Sequence, residues 1–452
     1  MRVLISTYSA ANHSSFGSQT RELFSRLMAT GEYEVIVQHG WFHRESIPGV
    51  VPPWEIIPTN IGYDDGGKPR HTIPDRYGEQ SIHRAMQAVK PDILWTLADP
   101  FMIKHLKEIK EQYGVKVAAW MPIDGVPVPD EYTEIFQFPD LLAGITKWGT
   151  DLMEFKSGRK AECFYHGVDF DTYHPMSEED RLTMRKEAAV RTDCPEDALL
   201  LGWVGKNQFR KMPWIMYPVL FYMNSGHWAQ CSDCQAITLG EYDRGRERPG
   251  NMPTSCSHCN SANIRKGDPV VTRCWSHMYP KTGGIDFAKM EKYWNVKGYV
   301  TYSKGIHPGK GVTGDQMNEL YNLVDVYTSL SGGEGFGIPI IEAAACAKPV
   351  LYTDYSGQAE VGELVAGIPV HIDAMIHEHH TQMNIDRAIP SVADVVKQLQ
   401  DLKDPAFRKQ VGQIAYEGAR HYFDWNVITN QWHEALKRLH ATKADRVIGG
   451  VM

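Results

Sequence analysis

Short apolar runs alternate with longer amphipathic stretches along the first third of the chain. Each run has the length of a buried strand, whereas the stretches place apolar residues three and four positions apart, which is helical spacing. The apolar runs lie at residues 3–5, 35–37, 93–95, 117–120 and 141–145, and the first helical stretch lies at 21–28. Strands that alternate with helices predict a parallel sheet covered by helices on both faces.

The alternation pauses over the charged residues 171–198 and resumes at residue 199, which predicts a domain boundary there. A second set of apolar runs lies at 199–205, 298–302, 324–327 and 349–352, with helical stretches at 315–323 and 337–347. The sequence therefore predicts an α/β fold of two Rossmann-like, doubly wound domains. Their predicted ranges are 1–175 and 196–425, and a closing amphipathic helix at 426–445 is expected to join the first domain.

Two Cys-x-x-Cys pairs lie in a stretch of the second domain where the alternation is lost. Cys231 and Cys234 are separated from Cys256 and Cys259 by 21 residues, a spacing typical of a four-cysteine zinc ribbon. We therefore predict a zinc-ribbon insertion at 226–283. Four thiolates leave no open position on the ion, so the predicted Zn²⁺ is structural. His258, Cys274 and His277 are nearby alternative ligands.

Length and charge limit the class of protein. A chain of 452 residues suits two or three domains, and its net charge of -8 gives no reason to expect nonspecific nucleic-acid binding over the whole surface. No run of eighteen apolar residues is present, so no transmembrane helix is expected. The amino terminus has one basic residue and a short apolar run, which does not predict a secretory signal. We expect a protein of the cytoplasm, or of the host cytoplasm if the chain is viral.

The segment SLSGGEGFGIPIIEAAACAKPVLYTD carries the candidate chemistry. A predicted strand runs into a glycine-rich loop and then into a helix, an arrangement whose free N–H groups and helix dipole bind phosphate. Glu334 lies in the loop and Glu342 lies eight residues later. Two carboxylates beside an anion site suit a nucleotide sugar, with Gly335, Phe336 and Gly337 as further donor-binding candidates. The alternatives are a plain tight turn and a Glu342 that only stabilises its own helix.

This segment resembles glycosyltransferase family four of the GT-B fold, whose signature is two glutamates separated by seven residues around a glycine-rich turn. Three further segments resemble the family: FYHGVDFDTYHP at 164–175, WVGKNQFRKM at 203–212 and FDWNVITNQW at 423–432. The resemblance covers nearly the whole chain outside the insertion. It implies two Rossmann-like domains facing a cleft and a sugar transfer from a nucleotide diphosphate donor, with retention at the anomeric carbon.

The resemblance also assigns roles to residues. Arg210 and Lys211 correspond to the basic segment that holds the donor diphosphate, and Gly17 to a glycine that lets the backbone approach the phosphate. Asp124 and Glu334 are the candidate catalytic residues, since both are expected to contact the sugar. The family needs neither a protein nucleophile nor a catalytic metal.

The acceptor stays open. Basic and aromatic side chains around the cysteines suit contacts with a phosphate backbone and stacking on bases. These side chains are Arg244, Arg246, Arg248, Arg265, Lys266, Arg273 and Trp275. A hydroxymethylated DNA base, flipped out of its helix, is therefore one candidate acceptor. The alternatives are a polysaccharide, lipid or small-molecule acceptor with a purely structural ribbon, a nucleotide-sugar epimerase, and a non-catalytic nucleic-acid-binding protein.

Overall fold

The chain forms two compact units. A computed structural model describes residues 1–12, 14–42, 50–59, 75–192, 194–243, 245–246, 248–281, 284–304, 311–379 and 383–442. The first unit comprises Met1–Gly167, Gly309–Gly311 and Phe423–Met452, and the second comprises Val168–Pro308 and Val312–Tyr422. The segment 168–175, predicted to end the first domain, thus belongs to the second unit.

The first unit is built on a parallel sheet of seven strands. Their bounds are β1 (Arg2–Tyr8), β2 (Val35–Trp41), β3 (Glu55–Pro58), β4 (Ile93–Leu97), β5 (Lys116–Met121), β6 (Leu141–Gly144) and β7 (Glu162–Cys163). The helices are α1 (Ser15–Ala29), α2 (Ile82–Val89), α3 (Leu106–Tyr113), α4 (Tyr132–Gln137) and α5 (Lys147–Ser157). The strand order is β3-β2-β1-β4-β5-β6-β7. The predicted Rossmann-like alternation is confirmed.

The second unit contains a parallel sheet of six strands in the order β15-β14-β8-β16-β17-β18. These strands are β8 (Leu199–Val204), β14 (Thr272–His277), β15 (Val300–Tyr302), β16 (Val326–Ser329), β17 (Val350–Thr353) and β18 (Ile368–Val370). The helices are α6 (Glu178–Thr192), α7 (Met216–Ser225), α8 (Phe287–Tyr293), α9 (Gly314–Leu323), α10 (Ile338–Ala345), α11 (Gly357–Leu364), α12 (Val392–Asp401) and α13 (Pro405–Phe423). A separate hairpin pairs β19 (Ile372–His377) with β20 (Asp386–Pro390).

Five short strands between α7 and β14 form the cysteine-rich insertion. They are β9 (Trp228–Cys231), β10 (Ile237–Leu239), β11 (Tyr242–Asp243), β12 (Arg248–Pro249) and β13 (Ile264–Lys266). β10, β9 and β13 form one antiparallel sheet, and β11 pairs with β12. The strands of this ribbon thus span residues 228–266, a shorter range than the predicted 226–283. The rest of that range contains β14, which belongs to the parallel sheet, while residues 282 and 283 lie outside the described chain.

The ribbon lies at the amino-terminal edge of the parallel sheet. α7 follows the carboxyl end of β8 and returns along the sheet, so its last residue, Ser225, lies at the opposite edge. The N–H of Val270 donates to the carbonyl of Met223 near that end of α7 (2.8 Å), and Thr272 pairs with Leu199, the first residue of β8. Within this unit the ribbon and the carboxyl-edge loops are therefore at opposite ends.

The last helix of the chain packs on the first unit. It is α14 (Trp425–Ala441), so the predicted helix begins one residue earlier and ends before 445, with residues 443–445 outside the described chain. The Trp432 ring lies 4.4 Å from Phe164, 5.3 Å from Trp120 and 5.7 Å from Trp95, measured between centroids. Buried aromatic packing of this kind explains why the end of the chain returns to the first unit. Among the described helices, none is both long and apolar enough to cross a membrane.

Ala347, just after the end of α10, has a backbone conformation that is unfavourable for a residue with a side chain. Ala347 has a φ of 53°, which is left-handed, and the N–H groups of Ala347 and Lys348 close the helix by donating to the carbonyls of Ala344 and Ala343. A side chain costs free energy in this conformation, whereas glycine adopts it freely. We expect Ala347→Gly to raise the free energy of unfolding by about 0.5–1 kcal/mol, as measured by urea denaturation. An unchanged or lower free energy would contradict this reason.

Candidate functional site

Three loops of the second unit meet at the carboxyl edge of its parallel sheet. They follow β8, β16 and β17, and β16 lies between the other two strands. Ligands of open α/β sheets bind in the crevice beyond the carboxyl ends of the strands where the strand order reverses, and that point lies here between β8 and β16. The predicted donor residues Arg210, Lys211 and Glu334 lie in the first two of these loops.

The glycine-rich loop after β16 is tightly packed. A Cβ on Gly332 would lie 2.4 Å from the Met212 side chain, and Gly337 has a φ of +91°. The Gly332 N–H donates to the carbonyl of Arg210 (2.7 Å), and the Gly332 carbonyl accepts from the N–H of Ala388 in β20 (2.9 Å). The loop is thus fixed from two sides as it enters α10, where Pro339 occupies the first turn. Pro339 has no N–H and the Ile340 N–H donates to the Gly337 carbonyl (2.8 Å), so the positive end of the α10 dipole is what this helix start offers to an anion.

Glu334 is the centre of a buried charge cluster. Its side chain is 9% exposed, and one carboxylate oxygen accepts from Arg210 Nη1 (2.9 Å) while the other pairs with Lys211 and accepts from Ser331 Oγ (2.7 Å). Burial alone would raise the pKa of Glu334. The two cations and the hydrogen bonds from Lys211 and Ser331 outweigh burial and lower the pKa to about 2. Glu334 is therefore ionised throughout the physiological pH range.

The charge cluster borders a small recess of about 20 Å³, lined in part by Lys211, Glu334, Gly337 and Trp203. Lys211 and Glu334 give this small space both a donor and an acceptor. Ser331 was not among the predicted site residues. Its serine hydroxyl gives no signal in the sequence, because serine is common in loops and its contact depends on the fold.

Glu342 lies in the second turn of α10 and is half-buried. Its carboxylate accepts from the hydroxyl of Tyr321 (2.7 Å), and Tyr173 also donates to it. Burial raises the pKa of Glu342, and the two tyrosine hydrogen bonds only partly offset that rise. Among the described residues, Glu342 therefore pairs with hydroxyl groups and not with a cation of α10. A glutamate that only stabilised its own helix would be expected to pair with such a cation.

The structure places Gly17 and Asp124 in the first unit. Gly17 is the third residue of α1, and a Cβ there would lie 2.4 Å from the Ser9 carbonyl oxygen and 2.5 Å from Asn12 Oδ1. Its own loop therefore requires glycine at this position. Asp124 is half-buried in the loop after β5. Both residues follow strands of the first sheet at its carboxyl edge, whereas the other donor candidates belong to the second unit.

The four predicted metal ligands lie together in the ribbon. The sulfurs of Cys231, Cys234, Cys256 and Cys259 are all within 4.8 Å of one another, and the closest approaches are 3.6 Å between Cys231 and Cys259 and between Cys234 and Cys256. Tetrahedral Zn²⁺ with bonds of about 2.3 Å places its sulfurs roughly 3.8 Å apart, so the arrangement fits zinc. The alternative ligands His258, Cys274 and His277 are not part of this cluster.

Each cysteine pair forms the same tight turn. Gln235 and Asn260, which directly follow the second cysteine of each pair, have φ values of 62° and 59°. The N–H of Gln235 donates to the Cys231 carbonyl, and that of Asn260 to the Cys256 carbonyl, each at 3.0 Å. Around the second turn, N–H groups of Cys259 and His258 point at Cys256 Sγ and lower the pKa of that thiol to about 6. Such N–H···S contacts are the outer-shell support that thiolate metal sites require.

Solved structures share the fold of the whole chain. HepE from Anabaena, in a complex with UDP and glucose, is 11% identical with a TM-score of 0.64, over 97% of this chain and 100% of that chain. Sucrose-phosphate synthase from Thermosynechococcus elongatus is 13% identical with a TM-score of 0.66, over 98% and 100%. A glycosyltransferase from Rickettsia africae is 12% identical with a TM-score of 0.65, over 98% of each chain. At these identities the likeness shows the fold, which is GT-B.

A family match covers part of the second unit. A search of curated protein sequences found no match to the chain. Residues 303–368 match the family described as Glycosyl transferases group 1. This segment contains the glycine-rich loop, Glu334 and Glu342. The segment that contains Glu334 and α10 is thus similar to the group 1 glycosyltransferases, whereas Arg210 and Lys211 lie outside the match.

Proposed function

We propose that the protein is a retaining glycosyltransferase that moves a sugar from a nucleotide diphosphate donor to an acceptor. The observation that carries the proposal is the Glu334 carboxylate, ionised and paired with Arg210 and Lys211 beside the glycine-rich loop. A carboxylate accepts hydrogen bonds from sugar hydroxyls, and two cations neutralise a diphosphate leaving group. The match of residues 303–368 to a glycosyltransferase family supports this assignment, and so does the UDP bound by HepE.

The roles of the side chains follow from their charges. Arg210 and Lys211 are both paired with Glu334. A bound diphosphate competes for the same two cations and leaves the Glu334 carboxylate free to accept hydrogen bonds from the donor sugar. Glu342 is proposed to accept hydroxyl groups elsewhere on the donor. Asp124 is proposed to contact the sugar, and Gly17, Gly335, Phe336 and Gly337 to line the donor site. No protein nucleophile and no catalytic metal are proposed.

Zn²⁺ is proposed as a structural ion held by Cys231, Cys234, Cys256 and Cys259. The ribbon lies at the amino-terminal edge of its sheet, away from the Glu334 cluster of the same unit. Its buried residues Trp228 and Ile237 belong to the core of that unit. These two observations favour a ribbon that stabilises the domain.

A nucleic-acid acceptor, such as a hydroxymethylated DNA base, is the second candidate. It is favoured by exposed cations on the ribbon at Arg248, Arg265 and Lys266. Arg246 is also exposed but is paired with Asp243, while Arg244 lies outside the described residues. Arg273 stacks on Tyr299 at 4.1 Å and the indole N–H of Trp275 donates to Ser303, so these two side chains already have partners within the unit. The described ribbon therefore offers fewer cations for a phosphate backbone than its sequence predicts.

The test is to incubate the purified protein with a panel of nucleotide sugars, with and without hydroxymethylpyrimidine-containing DNA. We expect release of nucleoside diphosphate from one donor, and nucleoside mass spectrometry identifies any sugar added to DNA. A hexose- or pentose-sized mass gain supports the DNA acceptor. Donor turnover without that gain keeps the transferase and overturns DNA as the acceptor. A donor sugar converted to its isomer without transfer identifies an epimerase, and no turnover of any donor contradicts the proposed function.

A further inference from the structure

Ser356, which starts the helix after β17, adopts a backbone conformation that serine rarely takes. Its φ is 59° and its ψ is -160°, a region in which glycine is common and residues with a side chain are strained. A strained serine is retained only where its surroundings hold it there, and such residues cluster at functional sites.

The Ser356 hydroxyl does not cap its own helix. Ser356 is the N-cap of α11, a position where a serine side chain normally accepts from the N–H two or three residues on. Ser14, Thr146, Thr313 and Ser391 all do so in this chain. The side chain of Ser356 makes no such bond. Both the backbone and the side chain of this residue thus depart from what stabilises a helix start.

The hydroxyl is instead bonded to Glu334 on both sides of its α-carbon. Ser356 Oγ accepts from the Glu334 N–H (3.0 Å) and donates to the Glu334 carbonyl (3.0 Å). Two bonds to the amide and carbonyl of one residue fix the peptide planes on either side of its α-carbon, and hence the direction of its side chain. Ser356 itself is 6% exposed, so water does not replace these bonds easily.

The next two residues of α11 hold the same loop. A Cβ on Gly357 would lie 2.1 Å from the carbonyl oxygen of Gly335, so this turn and the glycine-rich loop are in direct contact. Gln358 is fully buried, and its amide donates to the carbonyl of Ser331 (2.8 Å). Ser331 in turn donates to the Glu334 carboxylate. The start of α11 therefore supports both the backbone and the carboxylate of Glu334.

We propose that Ser356 is a positioning residue for the donor sugar, which aims the Glu334 carboxylate at the cost of local strain. The proposal rests on the proposed glycosyltransferase function. One substitution tests it, because Ser356→Gly relieves the strained backbone and removes the two bonds to Glu334 at the same time. Ser356→Gly and Ser356→Ala are then both expected to lose activity, and the glycine variant alone regains stability, whereas for a purely structural serine activity would follow stability.

The experiment compares Ser356→Gly and Ser356→Ala with the wild-type protein. For Ser356→Gly we expect a Tm above that of Ser356→Ala, UDP affinity within about twofold of wild type, and a kcat/KM for the active nucleotide sugar lowered by about tenfold to a hundredfold. UDP affinity is preserved because Arg210 and Lys211 are unchanged. Ser356→Ala removes the same bonds but keeps the strain, so its activity falls equally without the gain in Tm.

Two control variants separate strain from capping. Ala347→Gly relieves a left-handed residue outside the site, and Ser391→Gly removes a helix cap outside the site. We expect the first to raise Tm and the second to lower it, both with activity within twofold of wild type. A Ser356→Gly protein with wild-type activity overturns the inference, and so does one that is no more stable than Ser356→Ala or whose activity recovers with its Tm. A wild-type protein that turns over no donor overturns the proposed function instead, and the role of Ser356 with it.

Discussion

Replacing Glu334 by glutamine is expected to lower kcat/KM for the nucleotide sugar by about a hundredfold or more. Glutamine has the shape of glutamate but no charge, and one of its two oxygens becomes an amide that can only donate. The carboxylate is 9% exposed and ionised, so the substitution removes charge from a site with little water to replace it. Initial rates with the active donor measure the effect.

The same substitution is expected to leave nucleoside diphosphate binding intact or to strengthen it. Arg210 and Lys211 are both paired with Glu334, and a diphosphate must compete with that carboxylate for them. Glutamine does not compete for the cations. Isothermal titration with UDP should therefore give an affinity equal to or greater than that of wild type, while turnover is lost. Arg210→Ala should instead lower the affinity for UDP, because it removes a guanidinium that binds the diphosphate directly.

The matched control is Glu363→Gln on the exposed face of α11, which changes the net charge equally and should alter neither turnover nor UDP binding. A Glu334→Gln protein that turns over its donor within threefold of wild type would contradict the role of this carboxylate. A loss of both turnover and UDP binding would show that the residue only maintains the loop.

The chemistry of the site was predictable where it is carried by local sequence. A strand, a glycine-rich loop and a helix start are adjacent in the chain, so the phosphate-binding arrangement at α10 could be predicted from residue order. The pairing of Glu334 with Arg210 could not, because 124 positions separate the two residues. Only the order of β8 and β16 in the sheet brings their loops together. Ser356 is missed for the same reason, and its strained backbone has no signature in the residue type.

The strand β14 shows where the hydrophobic pattern is insufficient. Its buried positions are Thr272, Cys274 and Ser276, small residues that give no apolar run. It pairs with β8 along its full length, so the sheet and not its own composition determines the strand. The predicted insertion range included β14 because polar residues on both sides conceal it. The two cysteine pairs, by contrast, are local sequence features, and their clustering in the fold was predictable from spacing alone.

Removal of zinc is expected to lower the Tm of the protein by about 10 °C or more. The inner face of the ribbon is part of the core of the second unit, where Trp228 and Ile237 are buried. The Tyr242 ring of the ribbon packs edge-to-face against Phe221, with centroids 5.0 Å apart, and lies tilted against Trp294 at 4.8 Å. Without an ion, nothing holds the four thiols together and the ribbon does not stay folded. Trp228, Ile237 and Tyr242 then lose part of their burial, which costs about 1.5–3 kcal/mol of stability for each large side chain.

Metal analysis and thermal denaturation measure this effect on the full chain. The wild-type protein should contain one equivalent of zinc. Cys231→Ser or prolonged chelation should remove the zinc and lower the Tm by about 10 °C or more. His258→Ala is the matched control, because His258 lies inside the second cysteine pair and is exposed. It should keep both the zinc and the Tm. Full zinc occupancy in Cys231→Ser, or a zinc-free protein with an unchanged Tm, would contradict a structural ion.

The position of the ribbon predicts how the loss of zinc affects activity. The ribbon and the Glu334 cluster lie at opposite edges of one sheet, so an unfolded ribbon leaves the loops after β8, β16 and β17 with their contacts. Below the lowered Tm, the zinc-free protein should therefore hydrolyse its nucleotide sugar with a kcat/KM near that of wild type. If the ribbon instead holds a nucleic-acid acceptor, donor hydrolysis will persist while transfer to that acceptor is lost. Comparing hydrolysis with transfer in Cys231→Ser thus separates a stabilising ribbon from one that binds substrate.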